Sequence, residues 1–426
     1  MTTVDLPYGR ERLVVRLPAR CQATIVAKPP MPTAADPQAA VEAAFDEPVG
    51  TDRLEALAGD CSSACIALCD ITRPVPNQLF LRSLLDRLHA GGISSDRTTI
   101  LIATGLHRPC VDDEIAEIVG DPLLHHSVRI LNHHARVDAE HTEIGHTSRG
   151  TPIRIDKRFV EADLRIVTGL VEPHFMAGYS GGRKLVAPGL AHAETITTLH
   201  NHEFMAHPLA ASCVTVGNPL HEELTEIANL VGDIVAVNTV IDESRRLAFI
   251  NFGEVHQSHA DAVAFARRWS EVPVPRRFKT VLTSGGGHPL DATYYQTVKG
   301  MVGAADLVEN GGDILIASAC TEGIGSPSFA SAQTRLLDLG VDGFLGDISR
   351  KKRADVDEWQ TQMQLRAQAQ AHIGLYSGGL DDEARAITGV ETVESLERAI
   401  AASAERHGDE RIAVVPEGPY VVPRIV

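Results

Sequence analysis

Residues 64–103 read ACIALCDITRPVPNQLFLRSLLDRLHAGGISSDRTTILIA. The opening run, ACIALC at 64–69, is short and continuously apolar, as in a strand buried on both faces. Leu79, Leu81, Leu84, Leu85 and Leu88 then recur near helical spacing, which predicts a helix over 77–89. TTILIA at 98–103 is strand again. Strand, helix and strand in that order favour an α/β architecture with a largely parallel sheet.

The same alternation continues outward. A helix is expected at 111–119, a strand at 163–168, and a helix at 219–231 before the strand-like 233–240. The Pro/Ala-rich 29–43 reads as a loop leading into a helix. At 271–277, EVPVPRR interrupts the pattern. A second series then begins: strand 279–283, helix 292–308, strand 313–318, and helices near 328–340 and 354–371. The predicted fold is therefore two α/β domains with mainly parallel sheets, 1–273 and 277–410, with the active site in the cleft between them. Residues 411–426, with three prolines, are a candidate return to the first domain.

Composition narrows the function classes. The 426 residues are 44 % hydrophobic and 22 % charged, as in ordinary globular chains. A net charge of −17 disfavours nucleic acid and anionic membranes as partners. Aromatics, at 4 %, are too few for a base-stacking platform. The N-terminus MTTVDLPYGRERLVV has no apolar signal core, and no run of about 18 apolar residues occurs. Seven scattered cysteines do not form a secreted disulfide framework. A cytoplasmic protein is expected.

Five segments carry candidate chemistry. LIATGLH at 101–107 and IVTGLVEPH at 166–174 share a design: hydrophobic strand, Thr-Gly-Leu, then a histidine in the loop. Parallel sheets gather sites at the carboxyl ends of strands, so His107 and His174 are candidates for one crevice, although two β-turns sharing Thr-Gly would read the same way. EPHFMAGYSGGRK at 172–184 combines turn-permitting glycines with Arg183 and Lys184, which suits an anion or a lysine nucleophile. It equally suits a glycine turn with two solvated cations. His192, His200, His202 and His207 supply imidazoles but not the HExxH spacing of zinc enzymes. In DITRPVP at 70–76, the following proline holds Arg73 extended as a clamp for a carboxylate, or leaves it to pair with Asp70. In GGGHPLDATYYQTVK at 285–299, Gln296 and Lys299 share a helix face beside Tyr295. Cys61, Cys65 and Cys69 have ligand-like spacing, but the last two lie in the apolar strand and are read as inert thiols.

Together these pieces resemble the nickel-pincer-dependent lactate racemase family. The matching segments are DITRPVP, ATGLHRP (103–109), EPHFMAGYSGGRK, TLH (198–200), GNP (217–219), GGGHPLD with YQTVKG, and Trp359. The resemblance implies nickel held in a pyridinium-3,5-bisthiocarboxylic acid mononucleotide, tethered to Lys184 as a thioamide. It implies His200 as the metal ligand, with Ser180, Gly181, Gly182 and Arg183 on the cofactor side. His107 and His174 correspond to the acid–base pair. Arg73, Asp70, Tyr295, Gln296, Lys299 and Trp359 fall on the substrate side. The implied partners are a small 2-hydroxy acid and the proteins that build the cofactor and insert nickel.

The implied reaction is racemisation of a lactate-like acid through a transient 2-keto acid. Hydride removal avoids a dianionic carbanion, and imidazoles that titrate near neutrality suit the proton half. The residues alone leave other readings open. These are a family member epimerising a larger hydroxy acid or sugar, a Schiff-base enzyme using Lys184, and a non-catalytic α/β protein binding a small anion or nucleotide.

Overall fold

The structure is a computed structural model that describes residues 2–120 and 127–426. It divides into two compact units. One comprises Pro30–Leu199 with Val214–Arg268, and the other Met1–Pro29, His200–Cys213 and Trp269–Val426.

The first unit is built on a six-stranded sheet. Its order is Leu247–Glu254, Val235–Ile241, Leu164–Leu170, Ala64–Cys69, Thr98–Ala103, Arg129–Asn132. All neighbours are parallel except the first pair, which is antiparallel. Ala64–Cys69 is central, pairing Ile66 with Ile100 on one side and with Ile166 on the other. Helices cover both faces, so this strand is apolar throughout rather than alternating. Helix Asn77–Ala90 buries Phe80, Leu81, Leu84, Leu85 and Leu88 in the core with Ile66, Leu68, Ile100 and Ile102. Each such side chain contributes ~1.5–3 kcal/mol by leaving water. Helix Pro219–Val231 starts as its sequence dictates: Pro219 opens the first turn and the Asn218 side chain accepts from the N–H groups of Leu220 and His221.

The second unit has a six-stranded, all-parallel sheet ordered Glu391–Thr392, Ala371–Tyr376, Val308–Ala317, Phe278–Ser284, Arg411–Val415, Gln22–Ile25. Residues 1–29, which a boundary near 271–277 leaves with the first domain, lie here. Gln22–Ile25 adds an edge strand beside Arg411–Val415. The hairpin Thr3–Tyr8 with Glu11–Arg16 sends Val4, Leu6 and Val15 into a core with Leu282, Leu315 and Val414. Residues 411–426 also stay in this unit, the last strand Val422–Ile425 pairing with Glu271–Val274. The helix expected at 328–340 runs over Pro327–Ile348: Gly340 (φ 68°, ψ 172°) breaks the helical dihedrals and a second helical stretch follows at once. Helix Glu358–Gln370 is polar in sequence yet mostly buried. Its glutamines are satisfied within the unit, Gln364 accepting from Tyr294 Oη at 3.0 Å and donating to the Thr388 carbonyl at 2.7 Å.

Among the described residues, no helix is long and apolar enough to cross a membrane.

Candidate active site

In the first unit the chain begins its sheet at Ala64–Cys69, adds Thr98–Ala103 and Arg129–Asn132 on one side, and later adds Leu164–Leu170 and Val235–Ile241 on the other. The order therefore reverses between Ala64–Cys69 and Leu164–Leu170. In open parallel sheets such a reversal opens a crevice at the carboxyl ends of the strands. The three loops leaving that edge carry DITRPVP, TGLH and VEPHFMAGYSGGRK.

Side chains tie these loops together. Asp70, 5 % exposed, places Oδ2 2.6 Å from Nδ1 of His107. Its other oxygen, Oδ1, accepts from Thr72 Oγ1 at 2.5 Å and Thr72 N at 3.1 Å. Burial pushes the Asp70 carboxyl up, but the hydrogen bonds from His107 and Thr72 and the nearby Arg73 outweigh it, and the group is held below the usual carboxylate range. Asp70 thus faces His107, whose ring remains 62 % exposed. Arg73 Nε lies 3.8 Å from Glu172 Oε1 at the base of the third loop. His174 is half-buried and stacked on Phe175, and its Nδ1 lies 3.4 and 3.2 Å from the backbone N–H groups of Met176 and Ala177.

The glycine turn is built for close approach. Gly181 (φ 79°) and Gly182 (φ 50°) occupy left-handed backbone conformations. A Cβ on Gly181 would meet Val171 Cγ2 at 2.7 Å, and one on Gly182 would meet His259 Cδ2 at 2.9 Å. Ser180 spends its hydroxyl on this turn, accepting from Glu172 N and donating to the Leu170 carbonyl at 2.7 Å.

Arg183, 2 % exposed, lies inward on the short helix Gly182–Leu185. Its Nη1 donates to His259 Nδ1 at 3.1 Å and its Nη2 to His221 Nδ1. His259 Nε2 in turn donates to the Ser180 carbonyl at 2.8 Å. Burial lowers the guanidinium to about 10, and Arg183 Nε is buried without a hydrogen-bond partner. A buried cation flanked by neutral imidazoles beneath a glycine cradle fits an anionic, phosphate-bearing group above it. Lys184 is half-buried on the same turn.

The remaining candidates lie in the second unit. His200 packs its ring 4.6 Å from that of Trp359, which is 7 % exposed. Gln362 Nε2 donates to the His202 carbonyl, and Arg366 Nη1 to those of Met205 and Ala210, which pins the segment after His200 to the Trp359 helix. Gln360 Nε2 donates to the Tyr295 carbonyl at 2.6 Å. Tyr295, Gln296 and Lys299 stand on helix Tyr294–Ala305, where Thr293 caps the Gln296 N–H.

Other readings resolve differently. Among the described residues, no group of three or more His, Cys, Asp or Glu is placed to hold a metal ion by itself. His192 instead contacts Asp138 and Arg154 in the first unit. Arg108 is committed to Glu114 through two hydrogen bonds of 2.8 and 2.6 Å. All seven cysteines are free thiols, and burial pushes Cys65 up to about 12. Glu172, His221 and His259 were not singled out from sequence. The last two stand in ordinary amphipathic helices, where no spacing marks them.

The chain is similar to known proteins along its whole length. Two family models match, the lactate racemase N-terminal domain over residues 8–212 and the lactate racemase C-terminal domain over 275–423. A lactate racemase of Thermoanaerobacterium thermosaccharolyticum is 30 % identical over 437 residues, covering 100 % of both chains. A lactate racemase of Lactiplantibacillus plantarum is 29 % identical over 428 residues, covering 99 % of this chain and 100 % of that one. The solved lactate racemase apoprotein of T. thermosaccharolyticum superposes with a TM-score of 0.91 at 29 % identity, covering 99 % of this chain and 100 % of that one. A Thermotoga maritima protein shares the fold at a TM-score of 0.66 and 16 % identity, over 88 % of this chain and 96 % of that one.

Proposed function

Because the chain belongs to the lactate racemase family, an isomerase family, we propose that it racemises a short 2-hydroxy acid, lactate or a close analogue, with a nickel-pincer pyridinium nucleotide as cofactor. The observation that carries this reading is the hydrogen-bonded edge at the sheet reversal: Asp70 to His107, Arg73 beside Glu172, and the Gly181–Lys184 turn over a buried guanidinium.

In this reading Lys184 is the covalent tether, the backbone of Ser180–Gly182 and Arg183 hold the nucleotide, and His200 is the metal-side imidazole. The cofactor, when bound, supplies a hydride acceptor. The protein's own residues do the rest. Arg73 and Lys299 orient the substrate carboxylate. Tyr295, Gln296 and Trp359 shape the surroundings of its side chain. One of His107 and His174 takes the hydroxyl proton, and the other returns a proton to oxygen after the transient 2-keto acid has turned its other face. Phe175 and Met176 beside His174 favour a short aliphatic group.

The test is intact-protein mass spectrometry with nickel analysis, after co-production with cofactor-building and nickel-inserting proteins. An adduct mapped to Lys184, about one nickel per chain and racemisation of lactate are the expected results. An unmodified Lys184 from cells that make the cofactor overturns this reading and favours a small-anion-binding protein.

A further inference from the structure

An ion pair bridges the sheet reversal of the first unit. Arg73 stands on the loop leaving Ala64–Cys69 and Glu172 on the loop leaving Leu164–Leu170, neighbouring strands of one sheet. A crevice at the carboxyl ends of those strands lies between the two loops. Arg73 Nε is 3.8 Å from Glu172 Oε1, beyond hydrogen-bond length, and the side chains are 33 % and 32 % exposed.

The two partners are held unequally. The Glu172 N–H donates to Ser180 Oγ at 3.0 Å, and its carbonyl accepts the Ser180 N–H at 2.9 Å, so the glycine turn fixes where this carboxylate is rooted. The Arg73 guanidinium donates Nη1–H to the Thr72 carbonyl at 3.2 Å. Asp70, the other carboxylate at this edge, has committed Oδ2 to His107 and Oδ1 to Thr72. An ion pair this loose and this exposed is worth at most a factor of about five in an equilibrium. A carboxylate that meets the guanidinium with two parallel N–H···O bonds gains more.

We propose that Glu172 is a displaceable counter-ion, which occupies Arg73 before substrate arrives and yields it to the carboxylate of an incoming 2-hydroxy acid. The identity of that acid rests on the racemase reading. Glu172 is a positioning residue, since it acts on the substrate through Arg73. Before the exchange it keeps the guanidinium turned across the crevice. After the exchange it lies beside a second carboxylate and weakens the hold on it. Both enantiomers carry the same carboxylate, so the exchange that admits substrate also releases product.

The experiment is titration calorimetry of the full chain without cofactor, with L-lactate as the probe, on the wild type, Glu172→Gln, Glu172→Asp, Arg73→Gln and the double variant Glu172→Gln/Arg73→Gln. Glu172→Gln should bind lactate about two- to fivefold tighter. Glu172→Asp, which keeps the charge, should stay near the wild type, and the gain should vanish in the Arg73→Gln background. In the cofactor-loaded enzyme Glu172→Gln should lower KM by about the same two- to fivefold, with kcat moving less. A Glu172→Gln chain that binds lactate no tighter, a gain that survives Arg73→Gln, or no lactate binding by any variant overturns the proposal. A loaded wild type that racemises no 2-hydroxy acid overturns the racemase reading, while the calorimetry still judges the exchange.

Discussion

Acid should unfold the first unit through the imidazoles that hold Arg183. His221 is lowered from an ordinary ~6.5 to about 3 by burial and by Arg183, and His259 lies well below its ordinary value for the same reasons. Each accepts a guanidinium N–H at Nδ1, so protonation would oppose donor to donor. Both rings stay neutral in the folded chain, while in the unfolded chain they protonate below ~6.5. The unfolded state then binds more protons, and stability falls as pH falls. Between pH ~6.5 and ~5 one ring that stays neutral only in the fold contributes ~2 kcal/mol. The pair therefore removes ~3–4 kcal/mol, with His221 at the lower end because its ring is part-exposed. The assay is urea unfolding across this window, with hydrogen exchange of peptides spanning 178–190 as the local probe. His259→Gln, which can accept from Arg183 and donate to Ser180 but does not titrate, should flatten the pH slope by about one proton. An unchanged slope in that variant would refute the reasoning.

Three further outcomes follow from packing and charge. Gly181→Ala should destabilise the fold by ~2–4 kcal/mol, from the left-handed φ of 79° and the 2.7 Å approach to Val171, and urea midpoints will show it. Cys65, 1 % exposed and pushed up to about 12, should be on the order of 10⁻⁴ thiolate at pH ~8 and resist an aromatic disulfide reagent until the chain unfolds; rapid labelling in the native state would contradict its burial. Asp313→Ala should cost ~3 kcal/mol and lower the calorimetric Tm, because Asp313, 2 % exposed, receives Ser403 Oγ, Arg406 Nη1 and His407 Nε2. A loss below ~0.5 kcal/mol, the level of a neutral surface change, would show that these groups find other partners.

The central strand Ala64–Cys69 was legible because it is apolar without alternation, a pattern forced by burial on both sheet faces. Residues 22–25 gave no such signal. As an edge strand with three of its four residues exposed or nearly so, Gln22–Ile25 spends its backbone on Arg411–Val415 while its side chains face water. The histidines at 107 and 174 were singled out by a local repeat, Thr-Gly-Leu, which follows the strand Thr98–Ala103 but lies inside the strand Leu164–Leu170. Their partners were not legible. Asp70 reaches His107 across 37 positions, and Arg183 reaches His259 across 76, distances set by strand order rather than by spacing. Asp70 also read as a partner for Arg73, three residues on, because sequence proximity is the only geometry a sequence displays. The fold instead turns Asp70 to His107 and leaves Arg73 beside Glu172. A carboxylate spent on a histidine cannot also neutralise the arginine at full strength. The turn of the chain that gives His107 a carboxylate partner leaves Arg73 beside Glu172 instead, so removing Asp70 acts on the histidine first.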